Sequence, residues 1–177
     1  MSLFAVSGAT SRGGVLFFHP ILVSYHASPR HPDRVACYLR CYLHSVPDLN
    51  RREVRTTDAP APAFSYSQGV IFGDLLFIAG QVPRHPTTRE VPTTLADQVR
   101  QTLDNLAAVA LQAGTSLRHA LRVNAYLDDL SCIEEFDEVY RTYFIEPYPV
   151  RTTVQAGLRG YLVEIDAIVA IEKEGSS

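Results

Sequence analysis

The sequence predicts an α+β fold in which one mixed β-sheet carries two helices on the same face. Two segments place apolar residues at helical spacing, and five short segments have the pattern of strands. Their order along the chain is strand, strand, helix, strand, helix, strand, strand. Because a hairpin starts this series and helices separate the later strands, we expect a mixed sheet with a helix-covered face.

A hairpin and a long helix begin the predicted domain. Residues 68–72 and 75–79 flank Gly73-Asp74, which is a two-residue hairpin signal. After a loop rich in Pro and Thr, Thr94 offers an N-cap with an acidic residue three positions later. Gly114 is expected to end this helix, since glycine favours the position after the C-cap. The apolar stripe of the helix is expected in the core and contains Leu95, Val99, Leu103, Leu106 and Val109 or Ala110.

A third strand and a second helix follow. Residues 121–127 alternate apolar and polar side chains, as a half-buried strand does. Ser131 is expected to cap the second helix, whose first turns are acidic. The buried face of this helix is expected to contain Ile133, Phe136, Val139, Tyr140 and Tyr143.

The last two strands place polar side chains at defined positions. In residues 151–156, Arg151 and Thr153 share one face because side chains alternate along a strand. In residues 162–171 one face is apolar, so Glu164 points the other way, as does Asp166. We expect all four polar residues on the sheet face away from the helices. A face that mixes apolar and charged groups in this way indicates a subunit interface with a cleft.

Arg151 and Glu164 suggest a site for a small carboxylic acid that water attacks. A planar guanidinium grips a carboxylate through two parallel hydrogen bonds. A nearby glutamate can orient or deprotonate a water molecule. The alternative interpretation is a salt bridge between paired strands, which has little energetic consequence.

The composition of the chain argues against several classes of function. A chain of 177 residues has room for one domain and an appendage. A net charge of −3 and a pI near 6.0 argue against a basic nucleic-acid-binding surface. No apolar run reaches the ~18 residues of a membrane span. Three cysteines give no disulfide framework, so a cytoplasmic, reducing compartment is expected.

Residues 1–53 differ from the rest of the chain because they lack periodicity and contain several prolines. We interpret them as an N-terminal extension, either a disordered leader or a product of start-site misassignment, and residues 54–174 as the folded domain. Their acid-poor start resembles an organelle transit peptide in outline. Residues 35–43 are compatible with a short helix. Cys37 and Cys41 have a zinc-like spacing, but no second ligand pair follows, so we expect no metal site.

Seven segments, taken in order, resemble the RidA (YjgF) family of reactive-intermediate deaminases. They span about two thirds of the chain, and their order is more specific than any one of them. The segments are 56–60 (TTDAP), 66–69 (YSQG), 77–83 (FIAGQVP), 98–106 (QVRQTLDNL), 123–130 (VNAYLDDL), 149–152 (PVRT) and 163–168 (VEIDAI).

The resemblance implies a role for several residues. Arg151 corresponds to the arginine that binds the substrate carboxylate, and Glu164 to the glutamate that positions the attacking water. Tyr66 corresponds to the substrate tyrosine, and Gly80 to the glycine whose backbone lines the pocket. The implied fold is a chorismate-mutase-like (RidA-like) sandwich that assembles as a homotrimer with three sites between neighbouring subunits.

Three positions depart from the commonest deaminase pattern. Ala79 stands where a serine is usual, Asp137 where an asparagine is usual, and Thr153 where a cysteine is common. We retain Asp137 and Thr153 as expected substrate-binding residues. Because the arginine and the glutamate are both present, we expect the activity itself to be kept. We expect the three departures to affect the substrate range and the rate.

The resemblance implies hydrolytic deamination of reactive 2-imino acids and their enamines, such as 2-aminoacrylate and 2-iminopropanoate, to 2-keto acids and ammonia. The chain is thus expected to be a 2-iminobutanoate/2-iminopropanoate deaminase-type hydrolase without a metal or organic cofactor, because an imine is already electrophilic. Nucleic acid and membrane are not expected partners. The alternative is a non-catalytic module of the same family that binds a small ligand or regulates.

Overall fold

The computed structural model describes residues 14–18, 21–25 and 50–171. Strands β1 (Gly14–Phe18) and β2 (Ile21–Tyr25) form an antiparallel pair within residues 1–48, a compact unit separate from residues 49–177. The sequence pattern did not predict this pair. The short helix expected at 35–43, together with Cys37 and Cys41, lies outside the described residues.

Six strands form the sheet of the second unit, in the order β3-β4-β5-β8-β6-β7. All neighbours are antiparallel except β6 and β7, which are parallel, so the sheet is mixed as predicted. Strand β3 was not predicted, and it begins two residues before the expected domain start, a boundary that stays a prediction. The strands are β3 (Arg52–Val54), β4 (Gly69–Phe72), β5 (Leu75–Gln81), β6 (Ala120–Leu127), β7 (Val150–Gln155) and β8 (Val163–Ala170).

Helix α1 (Leu95–Gln112) begins and ends as the sequence predicts. The Thr94 hydroxyl accepts a hydrogen bond from the Asp97 backbone N–H at 3.2 Å and donates one to the Asp97 carboxylate at 2.7 Å. After the helix, Gly114 has a φ of +82°, which glycine adopts without the steric cost of a side chain.

Helix α2 (Ile133–Tyr140) is preceded by a short 3₁₀ turn, Leu130–Cys132. The Asp129 carboxylate accepts the Ser131 backbone N–H at 2.9 Å. The prediction that Ser131 caps α2 was therefore wrong, because the aspartate two residues earlier caps the 3₁₀ turn instead.

Both helices cover one face of the sheet, which confirms the predicted α+β layering. Helix α1 packs on β5, β8 and α2. Between the layers lies a continuous apolar core in which the predicted α1 stripe is buried, and Phe136 of α2 is fully buried. In the described part of the chain, no helix is long and apolar enough to cross a membrane.

The strand register divides the polar residues between the two faces. Arg151 pairs with Val123 and Thr153 pairs with Ala125, and these two partners are wholly buried beneath the helices. Residues paired in register point to the same side of a sheet. The expectation that Arg151 and Thr153 lie on the open face was therefore wrong.

The physical reason is the position of β7. It is not the hairpin partner of β8, because β6 lies between them and β7 joins the edge of the sheet parallel to β6. This topology also removes the alternative of a cross-strand Arg151–Glu164 salt bridge. On the open face, Glu164 pairs with Tyr126 and Asp166 with Asn124.

Candidate functional site

Arg151 belongs to β7, and its side chain contacts residues of α2. Its Nη1 donates to the Asp137 Oδ1 at 2.6 Å, and Asp137 Oδ2 lies 3.5 Å from the Arg141 Nη2. A charge-assisted hydrogen bond of this length is among the stronger side-chain contacts. The Arg151 side chain is 25% exposed, so this pair is more shielded from solvent than a surface salt bridge.

Two aromatic rings pack against the Arg151 guanidinium. The Arg151 guanidinium carbon lies 4.5 Å from the ring centroid of Tyr140 and 5.4 Å from that of Phe136. The Tyr140 ring in turn stacks on Phe144 with 4.4 Å between centroids. Stacking on buried rings fixes the plane of the guanidinium, which is the geometry that bidentate carboxylate binding needs.

Two hydroxyls of this region are buried without a hydrogen-bond partner among the described residues. They belong to Tyr140 and to Thr153, which follows Arg151 on the same side of β7. Burial raises the pKa of Tyr140 to about 12, so its hydroxyl stays protonated at neutral pH. We call Arg151, Asp137, Phe136, Tyr140 and Thr153 the arginine cluster.

Glu164 lies on the opposite side of the sheet, against the backbone of β5. The register between β5 and β8 shifts between Ile78 and Gln81, which leaves Ala79 and Gly80 in a bulge. A Cβ atom at Gly80 would lie 2.2 Å from the Glu164 Oε1. Only glycine therefore lets the carboxyl group rest at this point, and we call Glu164, Gly80 and Asp166 the glutamate cluster.

The environment of Glu164 disfavours its charged form. Burial and then the nearby Asp166 carboxylate raise the pKa of Glu164 above the usual glutamate value. Asp166 itself accepts hydrogen bonds from the Asn124 amide at 2.8 Å and the Tyr126 hydroxyl at 3.3 Å. Glu164 is thus the carboxyl group better suited to proton transfer, while Asp166 is held by its neighbours.

Polar contacts also fix the loop that leaves the Gly80 bulge. The buried Asn105 of α1 donates to the backbone carbonyls of Val82 and Arg84, each at 2.9 Å. Arg84 then donates to the Tyr161 hydroxyl in the loop before β8. These contacts tie the strand that carries Gly80 to the strand that carries Glu164.

The one remaining predicted site residue, Tyr66, makes no hydrogen bond to either cluster. Tyr66 is in the loop before β4 and is about half exposed, with its hydroxyl accepting the Ala63 backbone N–H at 3.4 Å. In the described residues, no group of three or more His, Cys, Asp or Glu side chains has the arrangement of a metal site.

The structure therefore joins Arg151 with Asp137 and Glu164 with Gly80, but it keeps the two pairs apart. Two interstrand spacings, roughly 10 Å, separate β7 from β8, and the side chains point to opposite faces. Sequence reasoning missed the aromatic support, since Phe136 and Tyr140 were expected only as core. Their i, i+4 spacing on the helix beside the arginine was the available signal.

Comparison with known proteins identifies relatives of this chain. The profile of the family described as Endoribonuclease L-PSP matches residues 56–171. A RutC family protein of Pyrococcus horikoshii is 41% identical over 116 residues, which cover 64% of this chain and 92% of the relative. A 2-iminobutanoate/2-iminopropanoate deaminase of Escherichia coli K12 is 32% identical over 122 residues, covering 66% of this chain and 95% of the enzyme.

Solved structures agree with these relationships. RidA from an Antarctic Psychrobacter species superposes with a TM-score of 0.65 at 36% identity, covering 68% of this chain and 99% of that protein. Escherichia coli TdcF with bound serine gives a TM-score of 0.65 at 30% identity, covering 68% and 99%. The matched profile, the RutC and deaminase relatives and the shared fold confirm the resemblance drawn from the seven segments, and the chain belongs to the Endoribonuclease L-PSP family, that of the RidA and YjgF proteins.

Proposed function

We propose that this protein hydrolyses reactive 2-imino acids and their enamines to 2-keto acids and ammonia, as a 2-iminobutanoate/2-iminopropanoate deaminase-type enzyme. The main observation behind the proposal is that two contacts fix the position of Arg151. Its guanidinium stacks on Tyr140 and donates a hydrogen bond to Asp137. A fixed guanidinium is suited to bind the carboxylate that all such substrates share. The deaminase names of relatives support the same reaction.

In the proposed reaction, Arg151 binds the substrate carboxylate and Glu164 accepts a proton from water as the water oxygen bonds to the imine carbon. For a protonated imine, the product of this step is a neutral tetrahedral carbinolamine. Glu164 then returns the proton to the amino nitrogen, the C–N bond breaks and ammonia leaves, and the hydroxyl proton passes back to Glu164 as the carbonyl forms. The raised pKa of Glu164 supports this double role, because proton transfer is most effective when the pKa approaches the working pH.

A complete site requires a second copy of the chain, since Arg151 and Glu164 point away from each other. We propose a homotrimer in which the arginine cluster of one subunit meets the glutamate cluster of the next. Exposed apolar residues on the open face support this assembly, because single chains rarely leave such a patch uncovered. Their exposed fractions are Phe72 50%, Phe77 41%, Val150 69% and Val154 42%.

Co-expression of two impaired variants tests the shared site. Arg151→Ala subunits keep Glu164, and Glu164→Gln subunits keep Arg151, so mixed assemblies contain some intact pairs. We expect the co-expressed mixture to have deaminase activity well above that of either variant alone, and light scattering to give three subunits. A trimer without recovery would place both residues of each site in one chain.

The activity itself is tested with imines made in place by an amino-acid oxidase and trapped with semicarbazide. The wild-type protein is expected to suppress trapping and release ammonia, whereas Arg151→Ala is expected to lose about 10- to 100-fold in kcat/KM. This factor corresponds to the loss of a charge-assisted hydrogen bond. Arg118→Ala removes an exposed arginine elsewhere and serves as the matched control. Full kcat/KM in Arg151→Ala would refute the mechanism.

A binding module without turnover is the second candidate, and one contact favours it. Asp137 already occupies one donor of Arg151, which reduces the charge available to a substrate. Binding of 2-keto acids with no ammonia release from several different imino acids would favour this candidate over the enzyme.

A further inference from the structure

We propose that Asp137, acting through Arg151, determines the charge of the ligand that the site accepts. Ligands with a single carboxylate and an uncharged side chain would bind, and those with a second carboxylate would be excluded. The inference rests on the proposed function in one respect only, namely that Arg151 binds the ligand carboxylate. It concerns a positioning and specificity role that the proposed reaction does not assign to Asp137.

The first support is the direct contact between the two side chains. Among the described residues, the only hydrogen bond from the Arg151 side chain goes to Asp137, at 2.6 Å. The guanidinium carbon lies over the Tyr140 and Phe136 rings, 4.5 and 5.4 Å from their centroids. A ligand carboxylate must therefore bind a donor edge that Asp137 does not use, within a few ångströms of the Asp137 carboxylate.

The second support is the local charge. Two arginines, Arg151 and Arg141, lie 2.6 and 3.5 Å from the oxygens of one aspartate, which leaves a formal charge of +1 for the group. One carboxylate neutralises this group. A second carboxylate on the same ligand would meet no uncompensated positive charge there, and the Asp137 carboxylate would repel it.

Two substitutions separate the charge of Asp137 from its hydrogen bond. Asp137→Asn keeps an oxygen that accepts from Arg151 but removes the negative charge, whereas Asp137→Ala removes both. Glu138→Gln is the matched control, because Glu138 is the exposed neighbour on α2 and has no recorded contact with Arg151. Net charge changes equally in Asp137→Asn and Glu138→Gln.

Titration calorimetry of the full chain gives the decisive comparison. The probes are 2-oxohexanoate, which carries one carboxylate, and 2-oxoglutarate, which carries two on a chain of similar length. We expect the wild-type protein to prefer 2-oxohexanoate by about tenfold or more in Kd, as one unpaired charge contact would give. In Asp137→Asn, both ligands should bind more tightly and the preference should fall at least about fivefold, while Glu138→Gln keeps the wild-type ratio.

Each outcome bears on the proposal. An unchanged ratio in Asp137→Asn overturns it, as does wild-type affinity for both ligands in Arg151→Ala. A fall in affinity for both ligands in Asp137→Asn, equal to that in Asp137→Ala, would also overturn it and make Asp137 a support for folding alone. Because the readout is binding, a chain that shows the predicted ratio but releases no ammonia would refute the proposed deamination and keep this inference.

Discussion

The arginine cluster stabilises the charge of its central residue, whereas the glutamate cluster destabilises it. In the arginine cluster, the charge of Arg151 is balanced by Asp137 and the side chain is stacked on Tyr140. In the glutamate cluster, Glu164 has a second carboxylate beside it on the same strand face, and burial further disfavours its charge. One cluster is therefore organised to hold a charge in place, and the other to make a charge change easily.

This difference matches the two tasks of the proposed reaction. Binding a carboxylate requires a guanidinium whose orientation and charge stay constant. Activating water requires a carboxyl group that gains and loses a proton near the working pH. Within one subunit the clusters lie on opposite faces of the sheet, and they meet only across the proposed interface between subunits.

The largest effect is expected from Gly80→Ala in the glutamate cluster. The new Cβ would lie 2.2 Å from the Glu164 Oε1, so the carboxyl group must move. The end of a glutamate side chain moves at little cost to folding, whereas displacement of a reacting group by about 1 Å costs on the order of 100-fold in rate. We therefore expect a large fall in kcat with nearly unchanged thermal stability.

Gly157→Ala is the control for this prediction. Gly157 lies in the exposed loop between β7 and β8, and, its two chain neighbours aside, no heavy atom of the described residues comes within 4 Å of a Cβ built there. It should keep wild-type kcat. If Gly80→Ala also kept it, the position of Glu164 against Gly80 would have no bearing on the reaction.

The sequence predicted the layers of this fold because they depend on local patterns. The capping contact at Thr94 and the left-handed Gly114 follow from the preferences of single residues. The buried stripe of α1 follows from helical periodicity. These features need no knowledge of the strand order.

The arrangement of the site was not predictable in the same way. Alternation along β7 placed Arg151 and Thr153 together on one face, but it did not say which face. That depends on the parallel register with β6, a long-range pairing that joins Arg151 to Val123. A strand shifted by one residue would reverse every side chain, so an error in pairing becomes an error in the site.

A smaller effect, confined to the arginine cluster, is expected from removing the ring beneath Arg151. A cation–π contact contributes about 0.5–2 kcal/mol, so Tyr140→Leu should raise KM by about two- to thirtyfold with less change in kcat. Tyr140→Phe keeps the ring and removes a buried hydroxyl that has no partner among the described residues. It should therefore keep KM, and its stability should be equal or higher. Equal KM values for both variants would show that stacking does not position Arg151.

The smallest effect is expected from Glu164→Gln on the free energy of unfolding. The pH dependence of this free energy distinguishes the two clusters. Since the pKa of Glu164 is raised in the folded protein, the folded state holds this proton more tightly than the unfolded chain does. The free energy of unfolding should therefore fall as pH rises from the unfolded pKa of glutamate to the raised folded pKa. Glu164→Gln removes this contribution, so its stability should exceed that of the wild type above this window and match it below.

Urea unfolding at a series of pH values measures this difference, with Glu138→Gln as the control on α2. Glu138 is exposed and forms no ion pair with any residue in the described part of the chain, so its variant should follow the wild-type curve. A Glu164→Gln protein that is less stable than the wild type above the window would mean that the charged carboxylate is stabilised in the fold. In that case Glu164, like Arg151, would be a compensated charge, and the contrast between the two clusters would disappear.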